Sequence, residues 1–296
     1  MKPYLFLLLC CFTYYSFGQS KTETNYPPFL SIKDVTFKSA GITLEGTVYK
    51  PRHPQAALVL VHGSGQETRM LRMASILAEK GIAVLTYDKR GVGKSDGIYA
   101  GPEVGTNNID SANLNLLALD ASAAFNTLLR HLSHKDMPLG LMGFSQAGWI
   151  IPMAAKINHK VNFMVVFSGP LVNTLEQLRF QFYTNGNPGF WDTHTETEAR
   201  EHIRNDPDRY QFAATDPQNA LSKLSIPGLW IFGGKDIQIP VGLSIEKLNL
   251  LKAKGKPYEY RLFPELGHNT ASSKSPETIN NAIQWIQIIA ERMKKE

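Results

Sequence analysis

Short apolar runs alternate with segments of helical periodicity along most of the 296-residue chain. Six of these runs predict the strands of a buried sheet. They cover residues 57–61, 82–87, 139–142, 163–167, 229–232 and 258–263. Ahead of them, residues 35–37 and 42–49 are rich in β-branched and aromatic side chains. These two segments predict an antiparallel pair that turns at Gly41.

The segments between these strands predict helices, because their apolar residues recur every three or four positions. Such helices are expected over residues 69–80, 110–131, 146–157 and 243–254, and a last one around Ile279, Ile283, Ile286 and Ala290. Regular alternation of strands and helices is typical of α/β domains. We therefore expect a mostly parallel, eight-stranded sheet with helices on both faces. Folds of this kind bind ligands at the carboxyl ends of the strands.

Residues 171–225 interrupt the alternation, since no buried strand is predicted there. A long insertion between two strands of a compact domain is usually functional, so we predict a lid. The segment is rich in aromatic residues, which favours an apolar or mixed acyl or alcohol group in the substrate. These aromatic residues are Phe180, Phe182, Tyr183, Phe190, Trp191, Tyr210 and Phe212. A segment that only covers a sheet edge is the alternative.

The first eighteen residues have the layout of a secretory signal peptide. Lys2 precedes an apolar run over residues 5–12, and small residues suit a cleavage site after Gly18. The run is shorter than the roughly 20 residues that span a membrane as a helix. We expect this segment to be removed and residues 19–30 to form a linker, with an uncleaved anchor as the alternative. The protein is then secreted or periplasmic, with no stable membrane anchor after cleavage.

The cysteine count and the charge narrow the function classes. Both cysteines, Cys10 and Cys11, lie in the predicted signal peptide, so the mature chain would contain no thiol. That excludes a disulfide framework, a cysteine nucleophile and a multi-cysteine metal site. The net charge is only +5 and no dense Lys/Arg run occurs, so nucleic acid is not an expected partner. The remaining length, residues 31–296, suits one domain with its lid insertion.

A serine stands where a nucleophile elbow belongs, between the strand 139–142 and the following helix. The elbow is Gly143-Phe144-Ser145-Gln146-Ala147-Gly148. Its sharp turn needs small residues two positions before and two positions after the serine. Ala147 departs by one methyl group from the glycine of the usual pattern. This motif alone is moderately specific.

The expected partners of the serine follow two later strands. Asp236 comes just after strand 229–232, and His268 just after strand 258–263. This chain order of serine, acid and histidine is the one expected on such a fold. We predict Ser145 as nucleophile, His268 as general base and Asp236 as the carboxylate that orients it. Asp216 has no preceding strand and is not expected to replace Asp236.

The loop that closes the first buried strand, His62-Gly63-Ser64-Gly65, is the predicted first half of an oxyanion hole. The expected donors are the N–H groups of Ser64 and of Gln146, the residue after the nucleophile. His62 is interpreted as a structural residue of the loop, because His268 already fills the position of the base.

Taken together, these motifs resemble the α/β-hydrolase fold serine hydrolases. The similarity is greatest to bacterial esterases and dienelactone-hydrolase-like proteins, which overlap with serine aminopeptidases and prolyl oligopeptidase catalytic domains. The motifs are the two loops around Ser64 and Ser145, the segment 87–95, Gly234-Lys235-Asp236 and Gly267-His268, and they cover nearly the whole mature chain. The resemblance implies a Ser-Asp-His triad that needs no metal or organic cofactor.

Two further patterns are interpreted as structural. Gly91-Val92-Gly93-Lys94-Ser95 lacks the glycines of a phosphate-binding loop or of a dinucleotide fingerprint, so we expect a tight turn with Asp88 and Arg90 paired. His194, Glu196, Glu198 and His202 have spacings that a metal site could use, but a solvated helix face is the favoured interpretation. Trp149 is expected either to line the pocket beside Ser145 or to lie in the core.

The sequence favours an exported serine hydrolase of carboxylesterase type, acting on a small-molecule ester or a short acyl substrate through an acyl-enzyme. A serine peptidase for short peptides or aminoacyl amides is the first alternative, with Glu196 or Glu198 as a site for the substrate amine. A catalytically silent binding protein on the same fold is the second.

Overall fold

The computed structural model describes residues 30–294, so the predicted signal peptide, and all but the last residue of the predicted linker, lie outside the described residues. Eight strands form one sheet. They are β1 (Leu30–Ser39), β2 (Ile42–Pro51), β3 (Ala56–Val61), β4 (Ile82–Tyr87), β5 (Leu139–Phe144), β6 (Phe163–Phe167), β7 (Gly228–Gly233) and β8 (Tyr258–Phe263).

The strands lie in the order β1-β2-β4-β3-β5-β6-β7-β8. β2 is antiparallel to both of its neighbours, and all pairs from β4 to β8 are parallel. The β1–β2 turn contains Ala40 and Gly41, both with positive φ, which matches the twist of a two-residue hairpin. The predicted mostly parallel, eight-stranded sheet is therefore confirmed.

Ten α-helices occur among residues 30–294. They are α1 (Leu71–Glu79), α2 (Thr106–Ile109), α3 (Ser111–His131), α4 (Ala147–Ile157), α5 (Thr174–Thr184), α6 (Phe190–Thr193), α7 (Glu196–Asn205), α8 (Gln218–Leu221), α9 (Val241–Ala253) and α10 (Glu277–Met293). The four helices α5 to α8 all lie in the predicted lid segment. Within this described part, no helix has the length and apolar character to cross a membrane.

Two hydrophobic cores lie on opposite faces of the sheet. Along β3, Ala57, Val59 and Val61 pack into one core, and the residues between them pack into the other. Such division follows from the two-residue period of a strand and explains why the central strands are apolar throughout. Helices α3, α4 and α9 cover the first face, whereas α1 and α10 cover the second.

The turn after β4 is held by charge pairs that differ from the expected one. Asp88 binds Arg69, with an N–O distance of 3.2 Å. Arg90 instead forms two hydrogen bonds to Asp120 of α3, at 2.9 and 2.6 Å. The predicted pairing of Asp88 with Arg90 was therefore wrong, because Arg90 binds a carboxylate on α3 that lies 30 residues away in the sequence. The tight structural turn itself is present, with positive φ at Gly91 and Gly93.

The Arg90–Asp120 pair is almost completely buried, with exposed fractions of 7% and 0%. Burial raises the pKa of Asp120, and the hydrogen bonds from Arg90 partly offset this effect. We expect Arg90→Met to lower the free energy of unfolding by about 3–5 kcal/mol, since it leaves a buried carboxylate uncompensated. The Arg90→Met/Asp120→Leu double variant should recover much of the loss, as measured by urea unfolding. A loss below about 1 kcal/mol in the single variant would contradict this account.

Candidate active site

Ser145 occupies a strained turn between β5 and α4. Its φ is +50°, in the left-handed region that residues with a side chain rarely adopt. Its N–H donates to the carbonyl of Phe167 at 2.9 Å, and its own carbonyl accepts from Gly148 N–H at 2.8 Å. These bonds hold the turn at the carboxyl edge of the sheet, as expected for a nucleophile elbow.

Close contacts explain why the elbow requires small residues. A Cβ added to Gly143 would lie 2.5 Å from the Cβ of Ala147, and one added to Gly148 would lie 2.7 Å from the Pro170 nitrogen. The methyl group of Ala147 thus fills the space that Gly143 leaves free. The one-methyl departure noted in the sequence fits the elbow.

The structure brings the three predicted triad residues together. His268 Nε2 lies 2.9 Å from Ser145 Oγ, and His268 Nδ1 lies 2.8 Å from Asp236 Oδ2. The Asp236 side chain is fully buried and that of His268 is 10% exposed. The second carboxylate oxygen, Oδ1, accepts the N–H groups of Gln238 at 2.7 Å and Ile239 at 3.0 Å. The acid is therefore fixed on both oxygens and aims one of them at the imidazole.

The two predicted oxyanion segments lie beside Ser145. A Cβ on Gly63 would lie 3.7 Å from Ser145 Cβ, so the loop after β3 passes close to the nucleophile. The Gly63 N–H donates to Glu67 at 3.2 Å. The N–H groups of Ser64 and Gln146 have no acceptor among residues 30–294. Both residues line the same cleft as Ser145, so their N–H groups are free to bind a substrate oxygen.

The comparisons with known proteins agree with the fold. Residues 52–190 match the family model of serine aminopeptidase, S33. The Pyrococcus horikoshii acylaminoacyl peptidase is similar to 90% of this chain, with a TM-score of 0.65 and 18% identity, but the chain spans only 42% of that protein's length. The Pyrococcus furiosus esterase Pf2001 matches over 90% of this chain and 91% of its own, with a TM-score of 0.61 and 18% identity.

A third solved structure, the α/β hydrolase GrgF from Penicillium sp. sh18, matches over 88% of this chain and all of its own length. Its TM-score is 0.61 and its identity 17%. This chain has the α/β-hydrolase fold. The matched structures include an esterase and a peptidase. No sequence among curated proteins matches the chain.

His62, which directly follows β3, is a buried residue with structural contacts. Its Nε2 lies 2.6 Å from the carbonyl oxygen of Tyr87, and its ring packs edge-on against the Tyr87 ring. Burial, together with the charge of Lys89, lowers the pKa of His62 to about 3. The ring is therefore neutral at pH 7, and Nε2 carries the proton that it donates to the carbonyl.

A narrow cleft leads to Ser145 and encloses about 360 Å³, including its open mouth. Its apolar lining includes Trp149, which also donates to the Val172 carbonyl at 2.9 Å and is 2% exposed. Three glutamines, Gln177, Gln181 and Gln238, and the carboxylate of Glu103 supply polar groups. The sequence did not single out these four residues, because isolated glutamines and glutamates carry no recognisable pattern.

The aromatic residues of the lid segment do not line this cleft. Phe180 and Phe190 form a separate core with Tyr183 and Trp191, which stack on or against them at centroid distances of 5.0–6.1 Å. Helix α5 turns its other face, with Gln177, Leu178 and Gln181, toward Ser145. The apolar or mixed acyl or alcohol group expected from the aromatic content stays a prediction, since none of these rings lines the cleft.

The lid segment is attached directly to the loop that carries the acid. The side chains of Trp191, Thr184 and Gln177 donate to three successive carbonyls of that loop. The acceptors are the oxygens of Asp236 at 2.8 Å, Ile237 at 2.6 Å and Gln238 at 3.0 Å. These bonds and the Trp191 ring fix the backbone around Asp236.

The four residues with metal-like spacing each have another partner. Glu198 caps helix α7 through Thr195, and Glu196 pairs with Arg200 at 2.9 Å. His202 stacks on Tyr183 at 3.9 Å, and His194 stacks on Phe190 at 4.3 Å. Neither glutamate lines the cleft, so the expected amine site on Glu196 or Glu198 has no structural basis.

Proposed function

We propose that this protein is an exported serine hydrolase that cleaves carboxylic esters through an acyl-enzyme. The observation that carries the proposal is the continuous hydrogen-bonded chain from Ser145 Oγ through His268 to Asp236, at 2.9 and 2.8 Å. A neutral serine becomes an effective nucleophile only when a positioned base accepts its proton. Export rests on the signal-like layout of residues 1–18.

In the first half-reaction, Ser145 Oγ attacks the acyl carbonyl while its proton moves to His268 Nε2. Asp236 Oδ2 accepts the hydrogen bond from Nδ1 of the resulting imidazolium and stabilises its positive charge. The carbonyl oxygen becomes an oxyanion, which the N–H groups of Ser64 and Gln146 bind. His268 then gives its proton to the alcohol oxygen as the ester C–O bond breaks.

In the second half-reaction, a water molecule replaces the alcohol. His268 Nε2 takes a proton from the water, whose oxygen attacks the acyl carbon, and the oxyanion again forms against Ser64 and Gln146. His268 returns the proton to Ser145 Oγ, which releases the carboxylic acid. The narrow cleft and its glutamine-rich wall favour short or polar acyl groups over long alkyl chains.

A serine peptidase for short peptides is the second candidate, and one observation favours it besides the family match. Glu103 lines the cleft and accepts a hydrogen bond from Ser64 Oγ at 3.3 Å. A carboxylate at this position could pair with the ammonium group of a substrate. An amide also requires His268 to protonate a poorer leaving group, which the same triad performs in peptidases.

A substrate panel tests the proposal. p-Nitrophenyl esters with acyl chains of two to twelve carbons, and aminoacyl p-nitroanilides, are compared by kcat/KM, with Ser145→Ala as background. We expect short-chain esters to be hydrolysed fastest. Rapid anilide turnover with negligible ester turnover would favour the peptidase. Binding without turnover of any ester or amide, on folded protein, would indicate a silent binding protein.

A further inference from the structure

A buried lysine lies directly behind the oxyanion segments. Lys89 follows β4 and is only 3% exposed, yet it forms none of the ion pairs within 4 Å among residues 30–294. Its Nζ donates to three neutral acceptors, Gly63 O at 2.6 Å, Gly65 O at 3.3 Å and Gln146 Oε1 at 3.1 Å. All three protons of the ammonium group are therefore used.

These acceptors belong to the two segments that present the free N–H groups of the site. The shortest bond is to Gly63 O, which is part of the same peptide unit as the Ser64 N–H. A trans peptide is planar, with its C=O and N–H on opposite edges. The ammonium group therefore sits at one edge of this unit, and the Ser64 N–H points away from it at the other. The bond to Gln146 Oε1 ties the second segment to the same cation.

We propose that Lys89 is a positioning residue that orients the oxyanion donors and polarises the Gly63–Ser64 peptide. A charged donor on the carbonyl oxygen draws electron density from the peptide and strengthens its N–H as a donor, since linked hydrogen bonds reinforce one another. This inference rests on the proposed function. The Lys89 ammonium group places a positive charge behind the site where the negative charge of the oxyanion develops.

The neighbouring bonds hold the loop in the matching orientation. The carbonyl of Ser64 accepts from Tyr99 Oη at 2.8 Å and from Asn108 Nδ2 at 3.0 Å. Gln146 Nε2 donates to the Asn108 carbonyl at 2.8 Å. With the two carbonyls bound by Lys89, three successive carbonyls of the loop are held. The backbone on both sides of the Ser64 N–H is thus held in place beside the cleft.

The charge of Lys89 is expected to be lost near the upper end of the physiological pH range. Burial lowers the pKa of Lys89 to about 8, although Glu67 and Glu103 raise it in part. The Tyr99 ring lies 5.4 Å from Nζ, and His62, a further ionisable neighbour, is neutral. Holding a cation here disfavours folding at neutral pH, because the unfolded chain binds the proton more strongly. The charged lysine therefore does not stabilise the fold at neutral pH, and its role is assigned to activity.

The test is the pH profile of kcat/KM for p-nitrophenyl butyrate between pH 6 and 10. The wild type, Lys89→Arg and Lys89→Met are compared with Lys94→Met, an exposed lysine of the same turn. We expect wild-type activity to fall above pH 8. Lys89→Met should lose about 10- to 100-fold in kcat at pH 7 with little change in KM, and should lack that fall. Lys89→Arg should retain activity and lose the fall, because guanidinium remains charged.

Thermal unfolding of each variant separates folding from activity. Lys94→Met should match the wild type in both. The proposal is overturned if folded Lys89→Met keeps wild-type kcat, or if Lys89→Arg still loses activity near pH 8. If Lys89→Met does not fold, the Lys89→Arg profile decides alone. A wild type that neither hydrolyses the ester nor reacts with a fluorophosphonate overturns the proposed function, and the role of Lys89 with it.

Discussion

Ser145→Ala is expected to lower kcat for ester hydrolysis by about 10⁵- to 10⁶-fold, because it removes the atom that forms the acyl bond. The residual rate reflects the oxyanion donors and substrate binding alone. The same variant should lose covalent labelling by a fluorophosphonate, which reacts with activated serines. Burst kinetics with p-nitrophenyl acetate give an independent measure, since the acyl-enzyme cannot form.

Ser75→Ala is the matched control for this variant. Ser75 lies on α1, and its hydroxyl only donates to Glu79 at 3.2 Å, so activity and labelling should equal those of the wild type. If the folded Ser145→Ala protein were labelled as rapidly as the wild type, another residue would be the nucleophile and the triad assignment would fail.

Asp236→Asn is expected to lower kcat by about 10⁴-fold without unfolding the protein. The amide oxygen should stay at the position of Oδ1, because the N–H groups of Gln238 and Ile239 donate there. The amide NH₂ then faces His268 Nδ1 and donates to it. The imidazole must carry its proton on Nε2, so it can no longer accept the proton of Ser145.

Asp216→Asn provides the comparison for that result. Asp216 is the carboxylate of the lid segment that the sequence analysis considered and set aside as the acid. Asp216 accepts the Gln218 N–H at 2.9 Å, ahead of α8. We expect its kcat to stay within about threefold of the wild type, as for most surface changes away from a site. If Asp216→Asn lowered kcat more than Asp236→Asn, the role of the acid would pass from Asp236 to Asp216.

The central strands, and the meeting of Ser145, Asp236 and His268 at one place, could be predicted from the sequence because each depends on local pattern. Burial on both faces makes β4 a continuous apolar run, and its predicted bounds agree with residues 82–87. The two partners of Ser145 each follow a strand, so the parallel sheet brings them to one edge. The helix predicted over 110–131 proved to begin at Ser111, after Asp110 caps it by accepting from Ala112 N–H at 2.8 Å.

What the sequence missed depends on contacts between distant segments. The spacing of Asp88 and Arg90 suggested a local pair, whereas each side chain binds a partner 19 to 30 residues away. The aromatic content of the lid segment could be seen in the sequence. The sequence did not show which face of its helices would line the cleft. Lys89 stood inside a recognised motif, and only the fold shows that its ammonium group lies beneath Gly63 and Gln146.

The three donors from the lid segment to the loop of Asp236 have a consequence for protein engineering. A chimaera that receives residues 171–225 from a related hydrolase would exchange the cleft wall and, at the same time, the groups that hold the backbone of the acid. Such a graft changes turnover as well as substrate preference unless Gln177, Thr184 and Trp191 are retained. In this protein, the cleft wall and the geometry around Asp236 are therefore inherited together.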